Sequence, residues 1–225
     1  MTKKTLLWGG GAKAMLALEL FNLKNVVIFD PYLKKINISK NVKFYNKFSD
    51  LKNIINQCSK FYVCIGNDDG QTRTYIAKKL LSYKLKPLSL IHKNSIIHKS
   101  VKFGKMVMVM PGVIINPFTK IGDFSVINTS AVVEHDCSLD EGVDIMGSAA
   151  IAGFCVLKKY VTVGTGATIF PKITLNENCF VGSGSVVRKN INKNDIVVGN
   201  PSKFLKKNFQ KDTRSLKTIK NLKKF

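Results

Sequence analysis

Carboxylates are scarce in this chain. Of its 225 residues only 14 are Asp or Glu, against 36 Lys and Arg, and the formal net charge is +22. A surplus of this kind points to polyanionic partners: nucleic acid, acidic lipid or phosphate-bearing small molecules. The lysines are spread along the chain beside abundant Asn and Ile, a pattern that a general compositional bias also produces. No nucleic-acid recognition motif accompanies the charge, so nucleic acid is not an expected partner. Histidine is scarcer still, at three residues. The five cysteines are odd in number and include no C-x-x-C pair, which argues against a disulfide framework and a zinc ribbon. Reduced thiols and a cytoplasmic location are expected. Long apolar runs are also missing: no stretch reaches the roughly 18 residues of a membrane span. The opening MTKKTLLWGGGAKAML is broken by three glycines and Lys13, too soon for the apolar core of a secretory signal.

What the chain does have is a period of six. Stepping by six from Ile91 through Phe103, Val109, Val133 and Leu157 to Val187 lands on a large apolar residue every time. Four places after each, the residue is usually small or β-branched, as at Ala131, Cys137, Ala149, Cys155 and Cys179. This is the signature of a β-helix solenoid. Each hexapeptide supplies a short strand and a turn, three hexapeptides close a triangular coil, and stacked coils share one core. The large residue and the small one both point inward, which makes Cys137, Cys155 and Cys179 inert core residues. The hexapeptide pattern predicts a left-handed helix, against the usual crossover hand.

The first ninety residues follow a different rhythm. TLLWGG, NVVIFD and KFYVCIGND read as strands; AKAMLALELF, SDLKNIINQ and QTRTYIAKKLLSYK read as helices. Such alternation predicts a small parallel sheet, a Rossmann-like α/β subdomain. The expected division is residues 1–88 for this subdomain, 89–203 for the β-helix and 204–225 for a basic tail. The tail is expected as a frayed solvated end, with a short basic helix making weak membrane-surface contact as the alternative. Gly9, Gly11 and Ala14 fit G-x-G-x-x-G/A between a strand and a helix, and Asp30 closes the next strand. The pattern suits a nucleotide phosphate at a helix N-terminus; its alternative is a tight turn without ligand.

His135 stands two places after Val133, off the inward register and therefore outside the prism. It sits between Glu134 and Asp136, and a carboxylate can orient an imidazole as a general base needs. His92 and His98 read as corner or surface residues. With only His135 in the middle coils, no metal is expected. Gly153 offers a backbone N–H to a thioester oxygen. Gly164, Thr165, Gly182 and Ser183 recur at similar register and leave a shallow groove for a long thin cofactor. Lys203, in GNPSK, is placed to meet that cofactor's phosphates.

Taken together, WGGGAKA, VVIFD, YVCIGND, LIHKNSIIHKSVKFG, VINTSAVVEHDCSLDEGVDI, SAAIAGF, TVGTGATIFPKI, FVGSGSVVRKNI and VVGNPSK make the chain resemble the PglD/NeuD-type sugar acyltransferases from about residue 5 to 204. The resemblance implies a homotrimer with active sites between neighbouring β-helices. It implies a nucleotide-linked amino sugar at the N-terminal subdomain, with Gly9, Gly11, Lys13, Asp30, Gly66, Asn67, Arg73 and Asp144 as substrate-binding residues. Acetyl-CoA would lie along Gly153, Gly164, Thr165, Gly182, Ser183 and Lys203. His135 matches the family's general base, Asp136 its carboxylate partner and Gly153 the amide near the thioester carbonyl. Three departures stand out: GGGAKA lacks the family's usual loop histidine, Asp136 replaces a frequent Glu, and Asp144 occupies the place of a second histidine. The expected activity is N-acetylation of a nucleotide-linked aminodeoxy sugar without a covalent enzyme intermediate. O-acetylation of a sialic-acid-like sugar and a non-catalytic sugar-nucleotide-binding trimer are the alternatives. The sugar, its amino position, the nucleotide base and the acyl length stay open.

Overall fold

The TLLW and FYV runs have no polar face, which is what a strand covered on both sides requires. The computed structural model describes residues 3–37, 42–66, 68–208 and 213–224. It divides the chain into two units, Met1–Ser89 with Lys211–Phe225, and Leu90–Gln210.

In the first unit, β1 (Lys4–Trp8), β2 (Val26–Phe29), β3 (Lys43–Tyr45), β4 (Cys58–Val63) and β5 (Lys86–Pro87) form one parallel sheet in the order β3-β2-β1-β4-β5. The helices are α1 (Ala12–Leu20), α2 (Leu51–Gln57), α3 (Gly70–Ser82) and α4 (Thr213–Lys224). Leu6, Leu7, Ile28, Phe29, Phe61 and Tyr62 are fully buried. The chain leaves β1 toward β2 but returns to its other side as β4. This reversal opens a crevice at the carboxyl ends of the strands, where open α/β sheets bind ligands. Strands β3 and β5 are additions to the sequence reading. Asp69 caps α3 by accepting from the Thr72 N–H at 3.1 Å, whereas Asp50 makes no side-chain cap on α2.

The second unit is the expected left-handed parallel β-helix. Two-residue strands stack into three walls. The first wall holds Val132–Val133 and Ala150–Ile151, the second Ser138–Leu139 and Val156–Leu157, and the third Asp144–Ile145 and Thr162–Val163. Equivalent residues lie 18 apart. The turns recur with the same period as the core: Phe118, Phe124, Ser130, Asp136, Gly142, Ser148, Phe154, Tyr160 and Gly166 all have φ between +57° and +70°. A left-handed residue costs a non-glycine roughly 1–2 kcal/mol. Burial of the large residue in each hexapeptide, worth about 1.5–3 kcal/mol, offsets it.

From Val109 to Val187 every sixth residue is buried, as are Cys137, Cys155 and Cys179. The register weakens in the first coil, where Ile91 is 44% exposed and Ile97 and Phe103 are half-buried. A terminal coil has no further coil beneath it to complete the core. All five cysteines are free. Burial pushes the Cys58 thiol up to about 11 and those of Cys64 and Cys179 to about 12. Cys137 and Cys155 stack one coil apart, their thiols donating to the carbonyl oxygens of Ala152 and Phe170 at 3.2 and 3.1 Å.

The expected tail is shared between the two units. Lys203–Lys207 is a strand antiparallel to Asp195–Val198 at the end of the third wall. α4 belongs to the first unit, packs on α3, and buries Thr218 and Leu222. The end of the chain is therefore docked as a helix instead of a solvated fray. Among the described residues no helix is long and apolar enough to cross a membrane.

Candidate active site

His135 and Asp136 occupy the corner between the first and second walls. The left-handed backbone of Asp136, φ +57°, turns its carboxylate back so that Oδ2 lies 2.9 Å from His135 Nδ1. With Nδ1–H donating to Asp136, Nε2 is left with its lone pair, as a base requires. Phe154, one coil above Asp136, meets the imidazole edge to face at 5.1 Å and 88°. Glu134 has a different partner: its Oε2 accepts from Asn116 Nδ2 at 2.7 Å. Asn116, Pro117, Phe118, Glu134, His135 and Asp136 line an open depression of about 420 Å³.

Gly153 is one coil, 18 residues, above His135 and shares its corner. A Cβ at Gly153 would stand 2.8 Å from Nε2. The glycine is thus required by the imidazole, and Nε2 is the atom that faces it. Its N–H donates to no backbone acceptor among the described residues. The same column explains why: Pro117, two coils below, and Pro171, one coil above, are its equivalents, so this N–H lies outside the strand ladder.

The groove residues fall elsewhere. Gly164, Thr165, Gly182 and Ser183 stack at the corner between the third and first walls, one wall away from His135. Thr165 and Ser183 are exposed. Gly164 and Gly182 are buried, and the groove expectation is corrected for them. A Cβ at Gly164 would meet Ser183 N and Val181 O at 2.6 Å, and one at Gly182 would meet Val198 Cγ1 at 2.7 Å. Their missing side chains make room for the next coil. The glycines that face open space are Gly166 and Gly184, both with positive φ, which the sequence reading passed over. Lys203 is exposed at the start of the last strand of the third wall.

In the first unit, Gly9, Gly11, Asp30 and Gly66 come together around a pocket of about 280 Å³, with Trp8, Tyr32, Asp68, Asp69, Thr72 and Thr218. Gly9 has φ +103°, and a Cβ there would reach the Cys64 carbonyl oxygen at 2.9 Å. Gly9→Ala is therefore expected to lower the stability of the first unit by about 1–3 kcal/mol, read as a lower unfolding temperature. An unchanged temperature would show that the β1 turn relaxes freely. A Cβ at Gly11 or Gly66 would meet nothing within 4 Å, so these two leave space for a ligand. Asp30 is already engaged: Oδ2 accepts from Gly10 N–H and Oδ1 from Tyr32 N–H, both at 2.9 Å. The Gly10 amide, within the loop that the glycine pattern suited to a phosphate, is held by this carboxylate.

Three expected substrate residues do not line either site. Lys13 and Arg73 are buried in α1 and α3. Asp144 points outward from the third wall but is completely buried, and that wall lies opposite the His135 corner. Asn67 lies outside the described residues. His92 is half-buried, its Nδ1 accepting from the Asn94 N–H, and His98 is exposed. No group of three or more His, Cys, Asp or Glu residues that could hold a metal occurs among the described residues.

No family model matches the chain. Solved structures do. A histidine-to-asparagine variant of perosamine N-acetyltransferase from Caulobacter crescentus, bound to CoA and GDP-perosamine, is 27% identical over 92% of this chain and 98% of that one, with a TM-score of 0.84. PerB from Caulobacter crescentus, with the same ligands, is 28% identical over 92% and 99%, at 0.81. The chain is a hexapeptide-repeat sugar acyltransferase. The acetyltransferase domain of PglB from Neisseria gonorrhoeae, in complex with acetyl coenzyme A, shares the fold at 24% identity over 91% and 100%, with a TM-score of 0.81. Within this acyltransferase, the structure assembles His135, Asp136 and Gly153 at one corner and a glycine-lined pocket in the first unit.

Proposed function

We propose that this acyltransferase moves the acetyl group of acetyl-CoA to the amine of a nucleotide-linked aminodeoxy sugar. The observation that carries this is His135, held through Nδ1 by Asp136 with Nε2 turned toward the Gly153 face. The amine nitrogen attacks the thioester carbon, a C–N bond forms, and Nε2 takes the ammonium proton. The Gly153 N–H stabilises the oxyanion. Collapse breaks the C–S bond, and the thiolate leaves and takes up a proton. Holding both substrates in one cleft supplies much of the rate advantage, so no acyl-enzyme is needed.

The acceptor class is supported by the bound GDP-perosamine of the Caulobacter enzyme and by the pocket of the first unit. Acetyl-CoA would run along the exposed Thr165, Gly166, Ser183 and Gly184 corner toward Lys203. That corner and the His135 corner stand one wall apart in a single chain, so a neighbouring copy must bring them together. Phe118, 64% exposed, and Phe154, 51% exposed, flank the base as apolar surface that a second subunit would cover. A homotrimer with sites between subunits satisfies both conditions. Five free thiols suit a reducing, cytoplasmic setting.

Thiol release from acetyl-CoA, measured with UDP-, dTDP- and GDP-linked 3-amino and 4-amino sugars, tests the proposal. Turnover of one amino sugar is expected. Silence across the panel with acetyl-CoA still bound would overturn amine transfer and leave a hydroxyl acceptor or a non-catalytic trimer.

A further inference from the structure

The pocket of the first unit has a wall that comes from the far end of the chain. Thr218 of α4 lines it beside Tyr32, Asp30 and Gly11. The Thr218 hydroxyl lies 3.0 Å from the Tyr32 hydroxyl across 186 residues of sequence. Thr218 is buried, as is Leu222 one turn later, while Lys217, Lys220 and Lys223 are exposed. The helix thus turns Thr218 to the pocket, buries Leu222, and leaves these three lysines in solvent.

The charge of the lining is the second observation. In a chain of net charge +22, the described lining residues include Asp30, Asp68 and Asp69 and no lysine or arginine. Such a surface repels phosphate and accepts hydrogen bonds from hydroxyl and N–H groups. Ribose hydroxyls and the N–H groups of a nucleobase are donors of that kind. Because Asp30 already holds the Gly10 amide, the glycine loop adds little to a diphosphate site.

We infer that α4 is part of the substrate site: Thr218, braced by Tyr32, forms the wall against which the nucleoside of the nucleotide-linked sugar is seated, with its diphosphate outside the pocket. This rests on the proposal that the first unit binds the nucleotide sugar. It makes Thr218 a specificity-determining residue.

Binding of GDP, UDP and dTDP to the intact protein, followed by calorimetry, tests it. In Thr218→Phe the ring enters the pocket, and affinity for the preferred nucleotide should fall at least about tenfold. Thr218→Val, which keeps the shape and removes the hydroxyl, should weaken it roughly two- to tenfold. Thr218→Ser should bind as wild type. Acetyl-CoA binding should be the same in all. Inorganic pyrophosphate should not compete; competition would place the phosphates inside the pocket and overturn the seating. If wild type binds none of the three, the nucleotide-sugar proposal itself fails. If wild type binds and Thr218→Phe and Thr218→Val bind equally well, α4 is no part of the site.

Discussion

His135→Ala should lower kcat by about 10²–10⁴-fold, the range a positioned general base contributes. The unfolding temperature and acetyl-CoA affinity should stay at wild-type values. His135 is half-exposed at a corner, its N–H lies outside the ladder, and the adjoining inward residues are Val133 and Cys137. Alanine therefore leaves the core untouched. Among the described residues that line the depression, Asn116, Pro117, Phe118, Glu134, His135 and Asp136, the imidazole supplies the only basic nitrogen. Steady-state kinetics on the preferred amino sugar, beside a thermal melt, check this. Full activity in the mutant would remove His135 from the chemistry and assign the base to another group.

Gly153→Ala should be nearly as damaging, with a loss in kcat on the order of 10²-fold. The new methyl would stand 2.8 Å from Nε2 and 2.9 Å from Cε1 of His135. Either distance is well inside van der Waals contact, so the ring must swing away from its bond with Asp136. A displacement of about 1 Å in a reacting group is enough for a loss of this size. The double variant His135→Ala, Gly153→Ala should be no slower than His135→Ala alone, because without the ring the methyl has nothing to displace. Further loss in the double variant would assign the open space at Gly153 an effect independent of the imidazole.

The solenoid was legible because its physics is local and repeated. A core position every six residues leaves a mark at each step, and His135 showed itself by standing off that register. Gly153 was legible for the same reason, as its equivalent one coil on. The first coil deceived the pattern, since Ile91 keeps the right residue type without a neighbour to bury it. The glycines of the groove were misjudged at Gly164 and Gly182 because composition does not reveal whether an absent side chain faces solvent or the next coil. Gly166 and Gly184 carry their meaning in backbone sign, which one-letter code does not display. β3 and β5 are too short to leave a periodic trace. Phe118 and Phe154 looked like any other corner residues until the stack placed them on either side of Asp136. Thr218 left no local signal at all, because its meaning lies in a partner 186 residues away.

The 18-residue coil has a consequence for how this acyltransferase can change. Position along the chain acts as an address: one component names the storey, the other the corner. Deleting a single residue between His135 and Gly153 would misaddress everything that follows, turning core residues outward. Excising a whole coil below the pair would lower both by one storey and keep them facing each other. Lineages of such proteins are thus free to grow or shrink in units of one coil, while the two residues that meet at the imidazole travel as a fixed pair.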